Sequence, residues 1–319
     1  MAGSASGGAS GTPPGTAPGA ASPGMRERVA ALLAELGVDR PVVAVTDHTA
    51  RLGVVQGVLA DRVLDLAVTE SGRRRLRAEL RGRRWAEERQ VGVPEVLAAA
   101  DDGRWLLSRR VHPGPSGGPR WTASAVEAAV RIAPLPVPPG QPWSPPAGPA
   151  LRRVRASVGD AGRLLRGGVR LAELRAVRAA AAQLPLSEAG HGDLRAANAV
   201  VDSRAPETTG ADPEERLVVL EWSGVRPAPR HRDLLTLWAT TPDAEDRGRI
   251  GEVVLARTAG WEEPDVGLLW HAVALEQLVA RLTRSDRGDG LDTAFARARL
   301  DEARAMAAEL GSPVVPPER

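Results

Sequence analysis

Apolar positions along this chain change their spacing twice, and the changes divide it into a tail, a strand-rich segment and a long helical segment. Residues 1–24, MAGSASGGASGTPPGTAPGAASPG, have too few large apolar side chains to offset ordering entropy, and a disordered tail is expected there. Helical spacing begins near Met25, runs through RERVAALLAEL and stops at Gly37. Three β-like runs follow: PVVAVT at 41–46, GVVQGVLA at 53–60 and RVLDLAV at 62–68. Ser71 is positioned to cap the next helix, whose Leu76, Leu80 and Trp85 lie roughly along one face while arginines fill the others as a solvated surface. VPEVLAAADDGRWLLSRRV then predicts two strands across the turn Asp101-Asp102-Gly103.

Beyond that point the period is helical. Helices are predicted at 122–132, 150–165 and 171–184, and the first two are separated by PLPVPPGQPWSPPAGP, which cannot be helix interior. NAVVD and RLVVLEW predict a hairpin joined by SRAPETTGADPEE, a long surface insertion. Further helices are expected at 232–240, 243–258, 264–284 and 291–310, with Pro242 and Pro264 near helix starts, where a missing N–H costs nothing. No internal repeat is visible.

Composition narrows the function classes. With 319 residues and 43% hydrophobic content the chain can bury a sizeable core in one large or two small lobes. The sequence pI of 10.4 suggests nucleic-acid binding, yet 42 basic against 40 acidic residues leave a formal charge of only +2. Every basic residue is arginine; with no Lys, Tyr or Cys there is little to titrate between His and Arg, so the small positive charge persists to high pH. The arginines between Arg73 and Arg84 have few aromatic companions for stacking, so no nucleic-acid partner is expected. Absence of cysteine excludes disulfides and thiolate metal sites, and five scattered His, among them His231, expected at the surface, do not make a zinc site. No apolar stretch approaches the roughly 18 residues of a membrane span, and the N-terminus lacks a signal-peptide pattern, so a cytoplasmic protein without a membrane partner is expected. Eight Trp beside one Phe suggest packing, although Trp121, Trp143, Trp261 or Trp270 are candidates for lining a substrate cleft.

The sharpest chemistry lies in HGDLRAANAVVD, His191 to Asp202, and in Glu221 at the end of LVVLEW. Asp193 and Asn198, five residues apart in a polar turn before a β run, supply a proton acceptor and a metal ligand; Glu221 supplies a second metal ligand. Phosphoryl transfer uses such parts, because it depends on positioning a hydroxyl and neutralising phosphate charge with Mg²⁺. Each residue also has a plainer reading: Asp193 as a turn residue satisfying backbone N–H groups, Glu221 as an exposed acid ending a strand.

This constellation resembles the aminoglycoside phosphotransferase family, in a degenerate form. The family's loop pattern is matched by His191, Gly192, Asp193 and Asn198; its acid-Trp landmark, usually Asp-Trp, by Glu221-Trp222; and a further Asp opening the next helix by Asp233. The resemblance covers roughly residues 25 to 311, and it implies a bilobal, protein-kinase-like α+β fold. In that fold a small antiparallel-sheet lobe (25–112) binds nucleotide and a larger helical lobe (113–311) carries the catalytic loop, with 312–319 as a tail. It implies ATP or GTP and Mg²⁺ as cofactors, with Asp193 catalytic, Asn198 and Glu221 on the metal, and His191 and Asp233 as structural support. Residues 108–111, including Ser108 and Arg110, become the interlobe hinge whose backbone would meet the base.

The chain departs from that pattern where phosphates would sit. The family's lysine on the third strand falls at Asp65, an acid that repels phosphate, so Glu79, which occupies the place of that lysine's partner, cannot form the pair. The segment DHTARLG, where the family folds a loop over the phosphates, is poor in glycine. Two functions remain: a phosphotransferase that moves a γ-phosphoryl group to a small-molecule hydroxyl, with Arg51 or Arg62 replacing the lysine, or a pseudokinase-like binding or regulatory protein that transfers nothing. The acceptor is not written in the sequence.

Overall fold

The computed structural model describes residues 21–114, 117–137, 158–203, 217–257, 261–283 and 293–312, with backbone alone at 50–51 and 158–161. The tail through residue 20, the Pro-rich loop from 138, the insertion at 204–216, the predicted helix start at 150–157 and Trp143 lie outside the described residues.

The first lobe is a five-stranded antiparallel sheet in the order β1-β2-β3-β5-β4, made of β1 (Ala44–Asp47), β2 (Val54–Val58), β3 (Arg62–Ala67), β4 (Val96–Ala99) and β5 (Trp105–Arg109). Period-two alternation sorts its two faces. Val55, Leu64, Leu66 and Leu107 bury against Val29 and Leu33 of α1 (Pro23–Glu35). This helix starts at Pro23, two residues before the expected start, because proline suits the first helical turn. Gly57 permits the packing: a Cβ there would lie 2.6 Å from Val29 Cγ1. The opposite positions, Val54, Gln56, Val58, Val63, Asp65 and Ser108, face a cleft.

A short helix, α2 (Thr49–Leu52), fills the connection between β1 and β2. It rests on the start of α3 (Glu70–Glu87) through two glycines, since a Cβ on Gly72 would stand 2.1 Å from Gly53 O. Thr69, not Ser71, caps α3: its Oγ1 accepts the Gly72 N–H at 3.0 Å, while Ser71 Oγ only bonds that same hydroxyl at 2.8 Å. Leu76 and Trp85 are buried as the spacing predicted, but Arg83, on the face expected to be solvated, is only 7% exposed.

The second lobe is helical. The order is α4 (Pro119–Ile132), α5 (Val158–Arg166), α6 (Leu171–Ala181), β6 (Glu188–Gly190), β7 (Ala199–Val201), β8 (Leu217–Val219), β9 (Arg226–Ala228), α7 (Arg232–Thr240), α8 (Ala244–Ala256), α9 (Glu263–Thr283) and α10 (Thr293–Glu309). Helix α9 is buried continuously from Val266 to Val279, its polar His271 and Glu276 meeting Glu173 and Arg232, and α5, α6, α7 and α10 pack around it. Asp243 caps α8, accepting the N–H groups of Glu245 and Asp246 at 2.9 Å each. β7 and β8 form the expected hairpin, with Val200 opposite Val218. β6 pairs with β9, Ala189 opposite Pro227, an arrangement that brackets the loop after Gly190.

Candidate functional site

A cleft of about 870 Å³ runs between the lobes, a size that suits a nucleotide or a comparable small molecule. It brings together Asp65, Glu79, Ser108, Arg110, Asp193, Asn198 and Glu221, which span most of the sequence.

The loop that carries Asp193 is built from close approaches. Gly192 has φ +85°, and a Cβ on it would stand 2.4 Å from Gly224 O, so no other residue fits without displacement. His191 is fully buried; its ring meets Trp222 edge-on at 4.7 Å and accepts the Asp193 N–H on Nδ1 at 3.3 Å. The His191 N–H in turn donates to Asp233 Oδ2 at 2.6 Å, which anchors the loop to the start of α7. Asn198 Nδ2 donates to Asp193 O at 2.8 Å and closes the turn. Asp193 itself stays at the cleft, with Arg195 Nε 3.1 Å from its Oδ1.

Glu221 follows β8 at φ +68°, an uncommon conformation for a residue with a Cβ, and such outliers concentrate at working sites. Its carboxylate faces the cleft, where Arg75 Nη2 of α3 donates to Oε2. Helix α3 lies directly on the turn after Glu221, because a Cβ on Gly82 would stand 2.4 Å from Trp222 O. One helical turn beyond Arg75, Glu79 accepts the Ser223 N–H at 2.8 Å on one oxygen and Arg83 Nε at 2.9 Å on the other. Arg83 Nη1 continues to Ser108 Oγ at 2.7 Å. Glu79 therefore has a cationic partner after all, supplied four residues on in its own helix.

Asp65 occupies the middle of β3, paired with Gln56 on one side and Leu106 on the other. Burial pushes its carboxyl up to about 6; a 3.0 Å hydrogen bond from Gln56 and the charge of Arg83 oppose the rise, and the charges of Glu79 and Glu221 add to it.

The remaining expected residues are placed as follows. Arg62 alternates onto the face of β3 away from the cleft and pairs with Asp61 at 3.5 Å, so it is not among the lining residues. Arg51 belongs to α2, and its side chain lies outside the described part. In the linker the N–H groups of Arg109 and Arg110 bond Glu95 O and Asp61 O at 2.8 and 2.9 Å, and Ser108, Arg110 and Val111 line the cleft. His231, expected at the surface, is 4% exposed; burial lowers its pKa to about 4, the charges of Arg230 and Arg257 add to that, and a 3.0 Å bond to Arg257 O opposes it. Trp121 and Trp270 are 4% and 1% exposed in the core, and Trp261 packs near His231, so none of the three lines the cleft.

Arg75, Arg83 and Arg195 are cleft residues that sequence spacing did not single out. Nothing in SGRRRLRAELRGRRW separates Arg75 from its neighbours; only its place one turn before Glu79 marks it.

The arrangement does not fit a divalent ion as the sequence suggested. Glu221's carboxylate is engaged by a guanidinium, and Asn198 spends its amide nitrogen on the loop, leaving Oδ1 to face a cation. Among the described residues no group of three or more His, Cys, Asp or Glu side chains is placed to hold a metal. Mg²⁺ is commonly held by one or two carboxylates with phosphate oxygens and water completing its octahedron, and here the Glu221 carboxylate that would serve is held by a guanidinium.

No protein-family model matches the sequence, and no curated protein sequence matches it. Solved structures do. A choline/ethanolamine kinase family protein from Mesorhizobium loti is similar over 92% of this chain and 95% of its own, at 18% identity and a TM-score of 0.51. The GDP complex of aminoglycoside 2'-phosphotransferase-IIIa is similar over 88% and 98%, at 12% identity and a TM-score of 0.52. A thermostable mutant of aminoglycoside phosphotransferase APH(4)-Ia is similar over 88% and 99%, at 14% identity and a TM-score of 0.52. The sheet lobe, the helical lobe and the cleft between them are thus those of the bilobal, protein-kinase-like fold that these phosphotransferases share.

Proposed function

We propose that the chain is a nucleotide-dependent phosphotransferase acting on a hydroxyl of a small molecule. Residues 25–112 form the nucleotide-binding lobe and 113–311 the lobe that carries the catalytic loop. The observation that carries this reading is the placement of Asp193 at the interlobe cleft, on a loop closed by Asn198 and braced by His191 and Asp233, opposite a sheet that lines the other wall. The neighbouring structures include a GDP complex and a complex with GDP and kanamycin, and a nucleotide beside a hydroxylated acceptor is the pair of ligands this cleft would take.

In the reaction the acceptor hydroxyl gives its proton to the Asp193 carboxylate as its oxygen bonds to the γ-phosphorus. The bond from that phosphorus to the β-bridging oxygen breaks, and the nucleoside diphosphate leaves with the electron pair. Positioning and charge neutralisation dominate such transfers. Arg195, with Nε 3.1 Å from Asp193 Oδ1, holds that carboxylate in place at the cleft. The experiment is γ-phosphoryl turnover from ATP and GTP against a panel of hydroxylated metabolites, amino sugars and amino alcohols. Transfer by the wild type and its loss in Asp193→Asn is the expected result; no transfer to any acceptor removes the enzyme reading.

A second reading, a nucleotide-binding protein without transfer, is favoured by one feature. An acid, Asp65, faces the cleft where a phosphate-holding cation is wanted, and its charge opposes phosphates near it. Nucleotide binding without turnover would select this reading.

A further inference from the structure

Four carboxylates, those of Asp65, Glu79, Asp193 and Glu221, and five arginines line the cleft, so its reception of a polyphosphate depends on which guanidinium can turn to it. Most of the arginines there already serve other groups. Arg83 holds Glu79 and Ser108, Arg109 pairs with Glu95 at 2.6 Å, Arg110 Nη1 donates to Leu59 O at 3.1 Å, and Arg195 lies on Asp193. Arg75 is more open than Arg83 and Arg195, and it differs from all of them in what it reaches. Its side chain is 29% exposed, it crosses from α3 to the Glu221 carboxylate, which is 48% exposed, and it bonds that carboxylate through Nη2.

We propose that Arg75 is the phosphate-binding cation of the cleft, bridging Glu221 to the phosphates of a nucleoside triphosphate, so that the nucleotide binds without a divalent ion. The proposal rests on the nucleotide-binding reading above and specifies how that binding is achieved. A guanidinium presents five N–H donors in a planar fork, so one edge keeps the carboxylate while the other takes a phosphate oxygen pair. An ion pair this open to solvent is weak and adjusts readily, and charge-assisted, bidentate phosphate contacts are strong. Glu221 then acts as the arm that aims Arg75, which explains why an acid is kept at a strained backbone position although a guanidinium engages it. A divalent ion at the same place would have to displace the guanidinium from Glu221.

The test is calorimetric titration of the full-length protein with ATP, and separately GTP, in Mg²⁺ buffer and in EDTA. The wild-type Kd in EDTA should lie within about threefold of that in Mg²⁺, and Arg75→Gln should weaken binding at least about tenfold in both buffers. Arg75→Lys, which keeps the charge and loses the fork, should bind several-fold more weakly than wild type; it also guards against a folding defect in the glutamine variant, which thermal unfolding would reveal. Binding that EDTA abolishes overturns the proposal while leaving the nucleotide reading intact, as does wild-type affinity in either variant. If neither nucleotide binds in either buffer, the nucleotide reading itself falls and this one falls with it.

Discussion

Glu79 and Ser223, separated by 144 positions in sequence, are joined by a 2.8 Å hydrogen bond from the Ser223 N–H to Glu79 Oε2, and Arg83 holds the other carboxylate oxygen at 2.9 Å. One buried side chain thus fixes α3 of the sheet lobe to the turn of the helical lobe that presents Glu221. Glu79→Ala would strand Arg83 in a 7% exposed site and leave the Ser223 N–H without its acceptor. Breaking a buried pair from one side typically costs 3–5 kcal/mol, and we expect a loss of about 3 kcal/mol in urea unfolding. Glu79→Gln, which can still accept from Ser223, should lose less. An alanine variant as stable as wild type would show that the clasp does not hold the lobes.

Asp193→Asn preserves the shape of the loop, because the bonds that form it come from Asn198, His191 and Asp233. It removes the proton acceptor and, with it, the negative charge that Arg195 meets. Turnover should fall about 10²- to 10⁴-fold, with nucleotide affinity by titration not weakened. A matching loss of affinity would mean that Asp193 serves binding instead of chemistry.

Asp65 predicts a pH signature. Its folded pKa of about 6 stands above the ordinary 3.8, so the folded state holds its proton where the unfolded state has released it. Its ionisation therefore costs nothing at low pH and destabilises the fold increasingly as pH rises from about 4 through 6. Asp65→Asn keeps the size and can accept the Gln56 bond, so it should stabilise the protein at alkaline pH by on the order of 2 kcal/mol. The gain should vanish in acid; an equal gain at both pH values in thermal unfolding would refute the burial argument.

His231 has the opposite sign. Its folded pKa of about 4 lies below 6.5, so its contribution is complete above pH 6.5 and is lost as pH falls toward 4. Glu173 extends the loss: burial alone would raise its pKa, but hydrogen bonds from His271 and Arg304 hold it at about 2, so its share is present above 4.5 and goes as pH falls through 2. Asn tolerates the φ of +63° at this position, and His231→Asn should flatten the stability curve between pH 6.5 and 4.5 while leaving the steeper fall below it. Urea midpoints across that range measure it.

Gly192→Ala introduces a Cβ 2.4 Å from Gly224 O at a φ of +85°. The loop must shift to admit it, so we expect turnover to collapse together with a stability loss of more than about 1 kcal/mol. Unchanged turnover would mean that the loop accommodates the methyl without moving Asp193.

What the sequence disclosed was what periodicity encodes. Helix α7 falls at the expected 232–240, and three strands of the sheet appear where β-branched runs were seen, because those segments bury one face of regular structure. β6 and β9 escaped notice: Glu-Ala-Gly and Arg-Pro-Ala carry no alternating apolar pattern and are strands only because each pairs with the other. The meeting of Asp193, Asn198 and Glu221 was anticipated from motif order, whereas Arg75 was not. An arginine among arginines has no local signature; its role is set by the helix docking one turn from Ser223, a tertiary fact. His231 misled for a similar reason, since a histidine between arginines looks solvated until α7 and Arg257 enclose it.

Asp65 in the wall of the cleft has a practical corollary in a chain with no lysine anywhere. Reagents that acylate side-chain amines find none to react with in this cleft. Dicarbonyl reagents that condense with guanidines are the matching chemistry, and partly exposed Arg75 is the residue whose protection by a bound nucleotide would report occupancy.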